Sequence, residues 1–306
     1  MAVRTAVLGF AAMLAATAVA FPLEGRHTDP GGRTLVIVGQ TTDGIRDYTV
    51  TSRLPPPWGV TMYVAPTLDS GGFTTAGGGR SSNAEWYRNG YGPQDLGYIM
   101  QSTALAGTAI AVGFWLGGDF DHDLAEGTNA SGRNGGNALW KNTKRLIADL
   151  KATGRPVLLR IGYEAEAPWN GHFPASYRAA WSRIRAEIDR QKATNIATVW
   201  QLAAFCPATD FWDARIQPRR LVASRPYVAT GAGSNGVRNV DDQEIAAVFD
   251  QWYPGADADW TGISVFTPQD CANGYATVRA VVDYLKTKHK PILVAEAGAV
   301  GYDYDP

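Results

Sequence analysis

The sequence has little of what phosphate-binding, metal-binding or disulfide-built proteins need. Its 28 Lys and Arg nearly balance 29 Asp and Glu, for a formal net charge of -1. A basic field able to neutralise a nucleic-acid backbone is therefore missing, and nucleic acid is not expected as a partner. The 4 histidines, His27, His122, His172 and His289, are scattered without the short spacings of zinc ligands, so no catalytic metal and no other cofactor are expected. No Gly-x-Ser-x-Gly elbow supports serine-hydrolase chemistry. No glycine-rich loop stands between a strand and a helix in the context that cradles phosphate; Gly77, Gly78 and Gly79 are loop glycines. The 2 cysteines, Cys206 and Cys271, are too few for a disulfide scaffold and enough for one staple.

What is present fits a single domain: 306 residues with 45% hydrophobic content can bury a large core. Residues 1–20 combine an early positive charge at Arg4, an apolar run from Ala6 and an Ala18-Val19-Ala20 end, the parts of a cleavable secretory signal. Phe21, Pro22 and Leu23 supply no charged stop-transfer flank, so export rather than membrane anchoring is expected. The folded domain is taken as residues 21–306, a secreted, extracellular monomer with no membrane partner. Asn129-Ala130-Ser131 forms an N-glycosylation sequon in a Gly/Asn-rich loop.

After the signal, short apolar β-rich runs alternate with amphipathic stretches, the pattern of parallel strands covered by helices. Strands are expected at Thr34–Val38, Val60–Val64, Ala109–Phe114, Val157–Ile161, Ala197–Leu202, Gly262–Phe266 and Ile292–Ala295. Helical stripes run through Leu139, Thr143, Leu146, Ile147 and Leu150 before Gly154, through Tyr177, Ala180, Trp181, Ile184 and Ile188, and through Ala276, Val278, Val281, Val282 and Leu285. The fold class expected is α/β, a (β/α)8 TIM-type barrel. Seven strands precede Pro306, so an eighth βα unit is not accounted for.

Two of these strands share a design, an apolar run followed at once by a glutamate: Val157 to Glu164 and Ile292 to Glu296. The C-terminal ends of barrel strands form the face where such folds keep their chemistry. A lone glutamate there is ordinarily a solvated loop residue. Two in matching contexts supply what glycosidic cleavage requires, one carboxylic acid to protonate the leaving oxygen and one carboxylate to attack carbon or activate water.

The run Leu159-Arg160-Ile161-Gly162-Tyr163-Glu164, followed by Pro168-Trp169-Asn170, resembles the acid/base strand of clan A glycoside hydrolases, especially family 26 β-mannanases and their relatives. Trp252-Tyr253-Pro254-Gly255 with Asp259 to Ile263 resembles that group's approach to strand six, and Ile292 to Gly298 its nucleophile strand. The resemblance implies a retaining, endo-acting glycoside hydrolase on polysaccharide of the β-mannan or β-glucan kind, with Glu164 as acid/base after strand four and Glu296 as nucleophile after strand seven. The chain departs from the pattern at Tyr163 and Glu166, where family 26 enzymes usually carry His and Asn. Mannan specificity therefore does not follow.

Arg160 shares strand alternation with Gly162 and Glu164, which places a guanidinium inside the barrel near the carboxylates. Trp115, Trp169, Phe205 and Phe266 stand at or just past strand ends, where flat rings can stack on sugar faces, with Trp169 the best platform. Gln201 and Tyr63 can hydrogen-bond hydroxyls there. Tyr163, Glu166 and His172 are further substrate-binding candidates. Asp119, Asp121 and Asp123 lack the glycine and glutamate spacing of a calcium loop and read as solvated or as a cleft rim. A rival to catalysis is a carbohydrate-binding protein on a degenerate hydrolase barrel.

Cys206 and Cys271 each follow a strand closely, on loops leaving the same face, so their Cα atoms can approach within the roughly 4.4 to 6.8 Å a disulfide needs. The bridge would close a loop of 271 − 206 = 65 positions, contributing on the order of 4 kcal/mol in the chain-entropy model. Thiol titration of the unreduced, denatured protein should therefore find no free thiol. Two titratable thiols would refute the bridge.

Overall fold

The computed structural model describes residues 34–52, 54–65, 96–116, 124, 136–167, 170–203, 246, 249–266 and 274–298. Residues 1–20, expected to form a signal, Asn129, the acidic Asp119–Asp123 stretch, Trp169, Phe205, Cys206, Cys271 and the segment 299–306 lie outside the described residues.

Among the described residues seven strands form one parallel sheet in chain order: Ile37–Gly39 (β1), Gly59–Val64 (β2), Ala109–Phe114 (β3), Val157–Ile161 (β4), Ile196–Ala203 (β5), Trp260–Phe266 (β6) and Ile292–Gly298 (β7). Parallel neighbours require a crossover between each pair. The described helices are Thr42–Arg46 (α1), Leu96–Gln101 (α2), Gly136–Ala152 (α3), Pro174–Arg190 (α4) and Gly274–Lys286 (α5). β3 and β4 have the expected bounds. β1 is displaced toward Gly39, and β7 continues past Ala295 to Gly298, so Glu296 lies inside a strand rather than after one.

The sequences of the central strands reflect burial on both faces. Every residue of β3, β4 and β5 is buried. One face packs on the helices: Tyr177, Ala180, Trp181, Ile184 and Ile188 of α4 and Leu146, Ile147 and Leu150 of α3 join Val112, Phe114, Leu159, Ile161 and Trp200 in the main core. The other face encloses a smaller cluster of Ala111, Leu158, Ala197, Val199 and Trp260, with Ile37, Trp58 and Leu293 against it. Residues from β1, β3, β4, β5, β6 and β7 meeting in one cluster show that the sheet curls around an interior. Ile37 and Val38 of β1 and Ile292 and Val294 of β7 line one cavity of about 600 Å³. Among the described residues, β1 pairs only with β2 and β7 only with β6. Among them, too, no helix is long and apolar enough to cross a membrane.

Near the start of β5 and β6 a buried carboxylate ties the layers together. Both oxygens of Asp259 accept from Arg185 Nη1 of α4, at 3.0 and 2.9 Å. Asp259 also accepts from the Thr198 backbone N–H at 2.9 Å and donates its own to Thr198 Oγ1 at 3.1 Å. Removing one partner of a buried pair leaves the other charge uncompensated, which typically costs about 3–5 kcal/mol. Asp259→Ala should lower unfolding stability by about that amount in a denaturant titration. A loss below about 1 kcal/mol would show that the cluster does not pin α4 to the sheet.

Candidate active site

The interior carries a polar layer above the apolar cluster, organised by Arg160. Its side chain is fully buried and extends from the middle of the sheet to both flanks. Nη1 donates to Glu296 Oε1 of β7 at 2.7 Å and to Gln201 Oε1 of β5 at 3.1 Å; Nη2 donates to Thr61 Oγ1 of β2 at 3.1 Å. The guanidinium also lies 5.0 Å from the Tyr63 ring centroid and 5.6 Å from that of Tyr163, within cation–π range. Room for it comes from Gly113: a Cβ there would stand 2.5 Å from Tyr63 Cδ1 and 2.9 Å from Arg160 Nη2. Burial alone would lower the Arg160 pKa, but the neighbouring Tyr63 and Glu296 override it and hold the group above its ordinary value.

Glu296 reaches this layer through an irregularity in β7. Gly262 pairs with Leu293 and Ile263 with Val294, but Ser264 pairs with Glu296, so Ala295 is the extra residue of a bulge. Leu293 faces the interior cluster. With strict alternation Ala295 would share that face and Glu296 would point to the other. The bulge turns Glu296 inward. Its Oε1 accepts from Arg160 and, at 3.2 Å, from Gln201 Nε2, which also donates to Ser264 Oγ at 2.7 Å. Tyr63 hydrogen-bonds to both Arg160 and Glu296. Burial pushes the Tyr63 hydroxyl pKa well up, with Glu296 adding to the effect and Arg160 opposing it. The carboxylate stands on the wall of the cavity between β1 and β7.

Glu164 is placed by a turn. β4 ends at Ile161, and Gly162 and Glu164 both take left-handed conformations, with φ of 53° and 52°. Alternation therefore stops at Ile161. A Cβ on Gly162 would meet Tyr177 at 2.6 Å and His172 Nε2 at 3.4 Å, on the α4 side, so Gly162 does not share the face of Arg160 as alternation alone predicted. A left-handed glutamate is uncommon and persists only where its surroundings over-determine it. Glu164 is buried at 7% exposure. Tyr163, between them, is also buried, and its ring packs edge-on to Tyr63 at 5.2 Å. Burial raises the Tyr163 pKa well above its usual value, and Tyr63, Glu296 and Glu164 all add to this. One side chain thus interacts with both glutamates.

The other expected residues divide. Gln201 uses its amide on Arg160, Glu296 and Ser264, so it positions the carboxylate rather than presenting a free sugar ligand. Glu166 is turned to β5, its Oε1 accepting from the Ala203 N–H at 2.8 Å. Burial raises the Glu166 pKa well above the carboxylate range, and Glu164 adds to the rise. His172, expected to line the cleft, packs behind the turn against Tyr177, ring centroids 4.9 Å apart. Trp115 is half-buried and donates its indole N–H to Asn170 Oδ1 at 3.3 Å. Phe266 ends β6, its side chain outside the described residues. Sequence reasoning gave no role to Thr61 and Ser264, and to Tyr177 only a place in a helical core stripe. A polar residue at an inward position of a buried strand was the available signal for the first two.

No family model matches the chain. It is 28% identical over 291 residues to a β-1,3-xylanase from Vibrio sp, covering 92% of this chain and 48% of that protein. It is 28% identical over 289 residues to a β-1,3-xylanase from Alcaligenes sp, covering 92% and 47%. The chain thus spans about half the length of these curated relatives. Among solved structures, similarity extends to the Bacillus subtilis mannanase man26, with a TM-score of 0.48 and 15% identity over 89% of this chain and 74% of that one. A β-mannanase from a symbiotic protist of the termite Reticulitermes speratus gives a TM-score of 0.49 and 13% identity over 87% and 74%. By name the two curated relatives are xylanases and the two solved structures mannanases.

His172 generates a prediction about acid stability. Burial depresses its pKa to about 3, against an unperturbed value of about 6.5. A depressed pKa contributes stability above the unfolded value that is lost as pH falls toward the folded one. Between pH 7 and pH 4.5 this group alone should remove about 2–3 kcal/mol. His172→Gln should flatten that part of the stability–pH curve. An unchanged slope in urea titrations would show that His172 is not buried neutral.

Proposed function

We propose that this chain is a secreted glycoside hydrolase of the (β/α)8 barrel type that cleaves β-linked polysaccharide internally and with retention. Glu164 protonates the leaving oxygen, Glu296 attacks the anomeric carbon to form a glycosyl-enzyme, and Glu164 then deprotonates the incoming water. The observation that carries the reading is the Glu296 carboxylate, turned into the sheet's interior by a bulge and fixed there by Arg160, Gln201 and Tyr63. A nucleophile held so tightly meets the carbon with little reorganisation. Glu164 follows just past the end of β4, and both glutamates raise the pKa of the Tyr163 hydroxyl; the proposed retention asks for carboxyl groups roughly 5 to 5.5 Å apart.

The substrate follows from the same chemistry. A chain of near-zero net charge with aromatic side chains at the strand ends suits a neutral sugar polymer. Trp115 and Trp169 are the proposed stacking surfaces and Tyr163 a hydroxyl donor to the sugar. Two curated relatives are β-1,3-xylanases, so β-1,3-xylan heads the substrate series, ahead of β-1,4-xylan, β-mannan and β-glucan.

Hydrolysis across that panel should be detectable with the wild type. It should fall at least about 10³-fold in Glu164→Gln and Glu296→Ala, each folded as judged by circular dichroism, and proton NMR of the first product should show the substrate's anomeric configuration. Glycan binding without turnover would instead support a carbohydrate-binding protein. The inverted anomer would refute retention.

A further inference from the structure

Beyond the last residue of β4 the main chain leaves the ladder, and its carbonyls need other donors. Side chains supply them. Ile161 O accepts from Tyr177 Oη at 3.1 Å and Trp181 Nε1 at 3.0 Å, and Gly162 O from Tyr177 Oη at 3.0 Å, both donors on α4. The next two carbonyls share one side-chain donor: Asn170 Nδ2 donates to Tyr163 O at 2.9 Å and to Glu164 O at 3.2 Å.

We infer that Asn170 is a positioning residue for Glu164, fixing the left-handed turn that aims the proposed acid/base. Three observations on this chain converge. Asn170 is buried at 4% exposure. Its orientation is set from the other side, because Oδ1 accepts the Trp115 indole N–H at 3.3 Å, leaving Nδ2 to face the carbonyls. Backbone bonds join the described residues on either side, with Ala167 N–H donating to Glu164 O at 3.0 Å and Asn170 N–H to Ala167 O at 3.1 Å. Glu164 has φ of 52°, a conformation that costs a non-glycine residue on the order of 1–3 kcal/mol unless its surroundings hold it. Without the two amide bonds the glutamate can relax toward ordinary backbone angles and carry its carboxyl away from the leaving oxygen. Asn170 need not touch substrate for this.

The inference rests on Glu164 being the acid, so the experiment separates the two. A glycoside with a good leaving group, a 2,4-dinitrophenyl glycoside of the sugar that the wild type cleaves, needs no proton in the first step, whereas the natural glycan does. The kcat/KM reports that first step. Asn170→Ala should lose about 100-fold in kcat/KM on the glycan, the scale of a misplaced catalytic group, while KM changes less than threefold. On the dinitrophenyl glycoside its kcat/KM should stay within threefold of wild type, and the alkaline limb of the glycan pH profile should move. Asn170→Asp fills the same volume without the amide donor and should behave alike if the alanine variant folds poorly. Glu164→Gln serves as reference. If Glu164→Gln itself shows no leaving-group dependence, the reading of Glu164 as acid falls. If it does and the Asn170 variants lose equally on both substrates, or keep their kcat/KM on the glycan, only the positioning role is overturned.

Discussion

The arrangement of the site depends on a single buried cation. Arg160 stands on β4, the fourth of seven strands, and its guanidinium is bonded to β2, β5 and β7 at once. A charge with no access to water must be paired and hydrogen-bonded or it is prohibitively costly. That requirement draws in the rest. Glu296 supplies the counter-charge, Gln201 and Thr61 take further N–H groups, and Gly113 leaves the volume. Because the partners come from strands far apart in the chain, the ion pair is satisfied only when the sheet is curled with its strands in register. A correctly curled sheet and a correctly held carboxylate are therefore one condition.

The second constraint is the exit from β4. A parallel strand that ends among helices leaves carbonyls with no ladder partner, and here the donors are aromatic hydroxyl and indole groups of α4 and the amide of Asn170. The aromatic stripe of α4 thus has two functions. Tyr177 and Trp181 fill the core between sheet and helix, and their polar tips fix the backbone that carries Glu164. Their amphipathic character suits them to a position with an apolar body and a polar end.

Electrostatically the two glutamates sit in different company. Glu296 is paired with a guanidinium, whereas Glu164 interacts with Tyr163 and with Glu166, a buried carboxyl that burial itself biases to the neutral form. Biased to the neutral form, Glu166 adds little negative charge to this neighbourhood, and its hydrogen bond to the Ala203 N–H ties the β4 loop to the end of β5.

Strand order, the bounds of β3 and β4 and the core faces of α3 and α4 were legible in the sequence, because burial on both sides of a parallel strand and on one side of a helix writes itself into local periodicity. The inward placement of Arg160 followed from the same alternation. Local periodicity has no means of registering an inserted residue. Whether Glu296 points inward is settled by the pairing of β7 with β6, where Ala295 is skipped opposite Ile263 and Ser264. The left-handed turn of Gly162 and Glu164 likewise depends on donors from Asn170 and α4, which no pattern in the strand itself contains. The sequence by itself determined which residues could form strands, helices and an apolar interior. The tertiary structure decided which way the two glutamates face, because facing is set by bonds to residues distant in the chain, and these exist only once the sheet has curled around Arg160.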